Sequence, residues 1–106
     1  DNWMITTPTG VEEDDQIVPE KFALLQNYPN PFNPSTKITY NIPQRSNVSL
    51  KIYDVLGKEI ATLVNEQKEA GTYYVQFDAS KLSSGVYIYS ILAGDFLESR
   101  KMILMK

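Results

Sequence analysis

The sequence has no cysteine and no histidine among its 106 residues. Without cysteine there is no disulfide, no thiolate nucleophile and no Cys-ligated metal. Without histidine there is no imidazole base and none of the triads built on one. Glycine occurs five times, singly, at 10, 57, 71, 85 and 94. That scatter provides no glycine-rich phosphate loop, and no nucleotide or other cofactor site is expected. No run approaches the roughly 18 apolar residues of a membrane-spanning helix, and the first 30 residues lack a basic start followed by an apolar core. Neither a spanning helix nor a signal peptide is therefore expected. Ten basic residues face thirteen acidic ones, a net charge of -3, which argues against nucleic acid or an anionic membrane as partner.

The remaining composition is ordinary for one globular domain, with 42% hydrophobic and 11% aromatic residues. Residues 1–21 hold two prolines, few apolar side chains and the acidic run Glu12, Glu13, Asp14, Asp15. They read as a flexible acidic linker from a preceding domain. From Phe22 onward apolar residues recur at every second position in short runs bounded by Pro, Asn, Gly and Ser. This spacing predicts strands over 22–27, 36–42, 47–53, 73–77, 86–93 and 96–105, the last two joined by a two-residue turn at Gly94-Asp95. Residues 58–69 are ambiguous, because Ile60, Leu63 and Val64 sit at helical spacing with Gly71 placed as a C-cap. A strand over 59–64 is preferred, since its neighbours are strands and a lone short helix lacks a packing surface. The count becomes seven short strands at roughly 8 to 12 residue spacing, which points to an all-β, immunoglobulin-like antiparallel sandwich over residues 22–106.

Few residues suggest chemistry. The Glu12–Asp15 run could chelate calcium, but it lacks the alternating ligands and central Gly of an EF-hand loop and reads as solvated charge. Asp54 and Asp78 could pair as glycosidase carboxylates, yet both stand in turns, where Asp bonds its own backbone. Seven tyrosines invite a sugar-stacking surface around Tyr87, Tyr89 and Tyr73; in a small sandwich, packing in the core or at its rim is preferred. Trp3 lies in the linker and reads as a contact with a preceding domain. Asn47-Val48-Ser49 fits a glycosylation acceptor, a tripeptide too common to carry weight. An enzyme is the least expected class, because no constellation of Asp, Glu, Lys or Tyr replaces the missing histidine.

Several separated motifs occur in order: Tyr28-Pro29-Asn30-Pro31-Phe32, Tyr53-Asp54-Val55-Leu56-Gly57, Ala70-Gly71-Thr72-Tyr73, Ser84-Gly85-Val86-Tyr87 and a late Lys101-Met102. Together they resemble the C-terminal sorting domain of proteins exported by the bacterial type IX secretion system, over about residues 22–106. The SGVY strand is also similar, more distantly, to the immunoglobulin-like module of flagellar hook-capping proteins. The resemblance implies a non-catalytic address that leads an N-terminal cargo domain across the outer membrane to the surface or medium. It further implies removal by a sortase-like protease within about residues 9–21 and attachment of the cargo to cell-surface lipopolysaccharide. The translocon is then expected to read the last strand, through Leu97, Lys101, Met102, Ile103, Leu104, Met105 and Lys106. A strand over Lys101–Lys106 is an element for addition to a partner sheet, or the last core strand guarded by lysines. The prolines of the first motif read as a rigid lead-in. The alternative is an accessory sandwich of an extracellular polysaccharide hydrolase, binding glycan or packing on a catalytic domain. Roughly a dozen buried apolar side chains without staples predict modest stability, with a thermal midpoint well below about 90 °C.

Overall fold

The computed structural model describes residues 18–106, so the linker readings on Trp3, Glu12–Asp15 and most of 9–21 lie outside the described residues. Seven strands form two antiparallel sheets, as the alternation predicts, and among the described residues there is no helix. The strands are β1 (Ala23–Leu24), β2 (Ser35–Ile42), β3 (Ser46–Tyr53), β4 (Glu59–Lys68), β5 (Gly71–Asp78), β6 (Gly85–Ala93) and β7 (Phe96–Leu104). One sheet runs β1-β2-β5 and the other β4-β3-β6-β7, which makes β7 an edge strand beside β6. The alternation in β2 and β3 fills the interior: Ile38, Tyr40 and Ile42 meet Val48, Leu50 and Ile52 from the facing sheet, with Tyr89, Ile91 and Met102. That is the two-layer packing a half-buried sheet requires.

The ambiguous segment is a strand, β4, and it is longer than expected. Its register against β3 slips twice: Leu50 faces Val64 while Lys51 faces Thr62, and Ile52 faces Ala61 while Tyr53 faces Glu59. Leu63 and Ile60 are therefore the extra residues of two β-bulges. A bulge restores an apolar residue to the inner face after an odd number of positions, which turns period two into spacings of three and four. The helix-like pattern was the signature of a bulged strand.

The first strand is shorter than the expected 22–27. Leu25 still donates its N–H to Thr39 O (3.0 Å), but Gln26 and Asn27 leave the ladder for side-chain partners. The turn between β3 and β4 is set by Asp54, whose Oδ1 accepts the N–H of Leu56 and of Lys58 (2.9 Å each), while Gly57 takes φ +87. Asp78 Oδ1 likewise accepts the Ser80 N–H (2.9 Å). Each carboxylate serves its own turn.

The Gly-x-Tyr motifs share one design. Tyr73 donates its hydroxyl to Glu69 O and Tyr87 donates to Ser83 O, each 2.7 Å and four residues upstream. In both, a glycine two residues before the tyrosine opens a strand whose entry the ring then clamps, as tyrosine corners do in other sandwiches. Tyr87 and Tyr89 are buried and Tyr73 stacks on Tyr40 with centroids 5.6 Å apart. The sugar surface entertained for these three tyrosines is absent; packing took them.

Candidate functional site

The motifs that lie far apart in the chain converge on the end of β7. Phe32 forms a parallel bridge with Leu104: its N–H donates to Ile103 O (2.9 Å) and its carbonyl accepts from Met105 N–H (3.0 Å). Asn30 Oδ1 accepts the Ile103 N–H (3.0 Å), and Gln26 Nε2 donates to Lys101 O (2.9 Å). From the other side Ser84 Oγ accepts the Lys106 N–H (3.1 Å), and the Lys106 ammonium donates to Ser80 O (2.7 Å). The proline-rich segment is thus more than a lead-in. Proline lacks an N–H, so a chain with Pro29, Pro31 and Pro34 around one bridging residue can lie along a strand edge without presenting a new edge of its own.

This arrangement changes which residues of β7 are available. Alternation points Met102 and Leu104 into the core, at 0% and 1% exposure, so a partner of the folded domain cannot touch them. Leu97 is 67% exposed, and Lys101, Ile103 and Met105 also face outward. On the backbone, the outward groups of Lys101 O, Ile103 and Met105 are already bonded to the proline-rich segment. The stretch expected to accept a partner strand, Lys101–Lys106, is occupied in this way. The edge that stays open is Leu97–Ser99, where no hydrogen bond from outside the sheet reaches the backbone of Leu97 or Ser99 among the described residues. Cross-strand neighbours extend the outward surface onto β6 as Leu92 beside Leu97, Ser90 beside Ser99, Ile88 beside Lys101 and Val86 beside Ile103.

Beneath β7 the inward positions Glu98 and Arg100 are only half buried and pair at 3.4 Å, and Arg100 Nε donates to Leu24 O in the other sheet. Inward-pointing charges on an edge strand are a device against indiscriminate strand pairing.

The lead-in is held by a polar network that sequence reasoning missed. Asn27 is buried; its Nδ2 donates to Thr36 Oγ1 (2.9 Å) and its N–H donates to Tyr89 OH (2.8 Å). Tyr89 in turn donates to Leu25 O (2.7 Å), tying the two sheets together. The signal available was the polar pair Gln26-Asn27 breaking an apolar run just before the first proline. Burial pushes the Tyr89 hydroxyl above the usual tyrosine value of 10.0, partly offset by the Asn27 amide and the Arg100 charge; burial pushes Tyr40 up likewise, partly offset by Lys68. The sign follows directly. Both groups are neutral in either state below pH 10, so their contribution is constant there. Above it the unfolded chain sheds protons that the folded domain retains, and stability falls. The thermal midpoint is expected to hold from about pH 8 to the tyrosine range and to drop above it, with a shallower drop in Tyr89→Phe; a midpoint level to about pH 11 would contradict this.

Residues 26–105 match the family model described as a secretion system C-terminal sorting domain. No curated protein matches the chain.

Proposed function

Because the chain belongs to the secretion system C-terminal sorting domain family, and so carries a type IX signal that marks proteins for export through the outer membrane, we propose that the machinery reads it along the outer side of β7. A domain of this family works with the secretion machinery while joined to an N-terminal cargo, and the family is a sorting family rather than a catalytic one. The observation that supports the β7 reading is the division of its edge: Phe32, Asn30 and Gln26 cover the end from Lys101 onward, and Leu97–Ser99 stays open, with Leu97 itself exposed. A partner strand adding there would gain backbone hydrogen bonds from Leu97 and Ser99, while Leu97, Lys101 and Ile103 would supply side-chain specificity. Met102, Leu104 and Lys106 act in this reading by holding the strand in place.

The domain has no catalytic role of its own in this reading. A sortase-like protease removes it within residues 9–21 and joins the cargo to lipopolysaccharide. The Phe22 ring stacks on Phe96 at 5.3 Å, which supports a packed body beginning at Phe22 and a scissile bond before it. The test is the whole chain, residues 1–106, fused behind a reporter with its own signal peptide in a bacterium with a working type IX system. The reporter is expected outside the outer membrane, with a new C-terminus mapped by mass spectrometry inside residues 9–21. Export without cleavage, or a cut within 22–106, would overturn the processing step.

A further inference from the structure

The sandwich sets three strands against four. The sheets are level at the flank where β1 lies on β7, joined by Arg100 Nε to Leu24 O and by Gln26 Nε2 to Lys101 O. Counted inward from there, β2 stands over β6 and β5 over β3, so β4 has no strand opposite it among the described residues. Burial follows this count. Ile38, Leu50 and Ile91 are sealed, whereas Ile60, Ala61 and Val64 of β4 and Tyr73 and Val75 of β5 are only half-buried. The vacant place borders the free edge of β5, which lacks the guards of the other edges. β1 is two residues long, β4 is bulged twice and carries Glu59, Glu66 and Lys68, and Gly71–Phe77 hold no charge and no proline. Lys37 exchanges both backbone hydrogen bonds with Tyr28, and Thr39 O accepts the Leu25 N–H, so both turn their backbone toward β1. Gln76 and Tyr74, opposite them on β5, therefore turn their N–H and C=O to the free side, as does Thr72 by alternation.

We propose that residues 2–7 of this chain, Asn2-Trp3-Met4-Ile5-Thr6-Thr7, fill this place as the fourth strand of the sheet, antiparallel to β5. Within residues 1–17 only this stretch has strand composition: it holds Trp, Ile and two Thr without charge, proline or glycine, whereas 8–17 hold Pro8, Gly10 and the acidic run. The reach is sufficient. Ala23, Asn41 and Thr72 form one row, so the vacant place lies three strand spacings, about 15 Å, from β1. Residues 8–22 can span about 50 Å. β5 starts at the end where β1 starts, so a chain crossing back from Phe22 arrives beside Gly71 and runs antiparallel to β5. Burial selects the register. With Met4 opposite Tyr74, Trp3 faces Val75 and Ile5 faces Tyr73 on the inner side, toward the half-buried residues of β4. Asn2, Met4 and Thr6 then exchange hydrogen bonds with Gln76, Tyr74 and Thr72, and Pro8 falls opposite Ala70, just past the end of β5. Charge favours the same contact, since residues 1–17 carry five acidic and no basic side chains against ten basic and eight acidic in 18–106. A second copy pairing through its own β5 does not fit, because antiparallel pairing keeps faces aligned and drives its four-stranded sheet into β4. Docked so, the strand holds residues 8–21 as a loop fixed at both ends. The assignment does not depend on where the sorting machinery binds.

The test uses the full chain, in which Trp3 is the single tryptophan and so reports this segment alone. Its emission is expected to lie to the blue of N-acetyltryptophanamide, with slow amide exchange at Thr72, Tyr74 and Gln76. Met4→Pro removes the N–H aimed at Tyr74 and is expected to return the emission to that of the free indole. Exchange at Tyr74 is expected to rise at least about tenfold in that variant, the factor that corresponds to 1.4 kcal/mol, while exchange at Leu50 in the core stays as in the parent. Parent emission equal to that of N-acetyltryptophanamide, or Tyr74 exchange unchanged by Met4→Pro, would overturn the proposal. So would a blue-shifted Trp3 beside an unprotected Tyr74, which places the segment elsewhere, and protection lost on dilution, which assigns the strand to a second copy.

Discussion

Replacing Leu97 and Ile103 together by Asp is expected to abolish export of a fused reporter while leaving the domain folded. Deleting Leu97–Lys106 is the blunter experiment and answers less, because it removes Met102 and Leu104 from the core along with the outward surface. Losing two such side chains costs about 2 to 5 kcal/mol each, enough to unfold a small domain whether or not anything recognises it. Leu97 and Ile103 face outward, and substitutions at such sites usually stay within about 0.5 kcal/mol. Two carboxylates there would be desolvated by any partner that packs on the strand, a cost a complex does not recover. Surface reporter is expected to fall at least about tenfold, the factor that corresponds to 1.4 kcal/mol of lost interaction, with a thermal midpoint within a few degrees of the parent. Ser99→Pro separates side-chain reading from strand addition. The Ser99 N–H points away from β6, so proline there removes a donor from the open edge and spares the ladder. Export that survives both changes, in a domain that remains folded, would falsify the β7 reading.

The parts of this fold that were readable from the chain are those governed by neighbours in sequence. Ile38, Tyr40 and Ile42, or Val48, Leu50 and Ile52, alternate because a sheet has two faces, and Gly94-Asp95 closes the β6–β7 turn because Gly94 takes φ +60. The parts that resisted are governed by residues far apart. Ile60 and Leu63 resemble helix positions until β3 is placed beside them and the two bulges emerge. Asn30 and Ile103 are separated by 73 residues, so nothing local announces that one covers the backbone of the other. Recognition side chains posed the same difficulty. Apolar residues crowd the last strand, and only the register with β6 sorts Met102 and Leu104 inward from Leu97 and Ile103 outward. The tyrosines mislead likewise: Tyr87 and Tyr89 look like a platform in one dimension and are buried once the sheets are assembled.

Phe32→Ala is expected to be the most damaging single change in the proline-rich motif, and the reason is that Phe32 acts at two levels. Its ring is 2% exposed and lies against Phe77 with centroids 6.3 Å apart, so truncation leaves a cavity at the end of the sandwich. Phenylalanine-to-alanine changes in cores cost about 3 to 5 kcal/mol. For a domain of this size each kcal/mol moves the midpoint by roughly 4 to 8 °C, so a fall of at least about 12 °C is expected in thermal melts. Its backbone meanwhile carries the bridge to Leu104, and a loosened Phe32 uncovers the outward groups of Ile103 and Met105. Asn30→Ala isolates the second effect. It removes one hydrogen bond to Ile103 N–H, about 0.5 to 1.5 kcal/mol, without opening a cavity. If the motif guards the strand edge, Asn30→Ala speeds amide exchange at Ile103 with little loss of midpoint, whereas Phe32→Ala shows faster exchange and a large loss together. Exchange at Ile103 that stays as slow as in the parent in Asn30→Ala would mean that the proline-rich segment packs against β7 without guarding it. The motif's importance would then lie in the Phe32 ring alone.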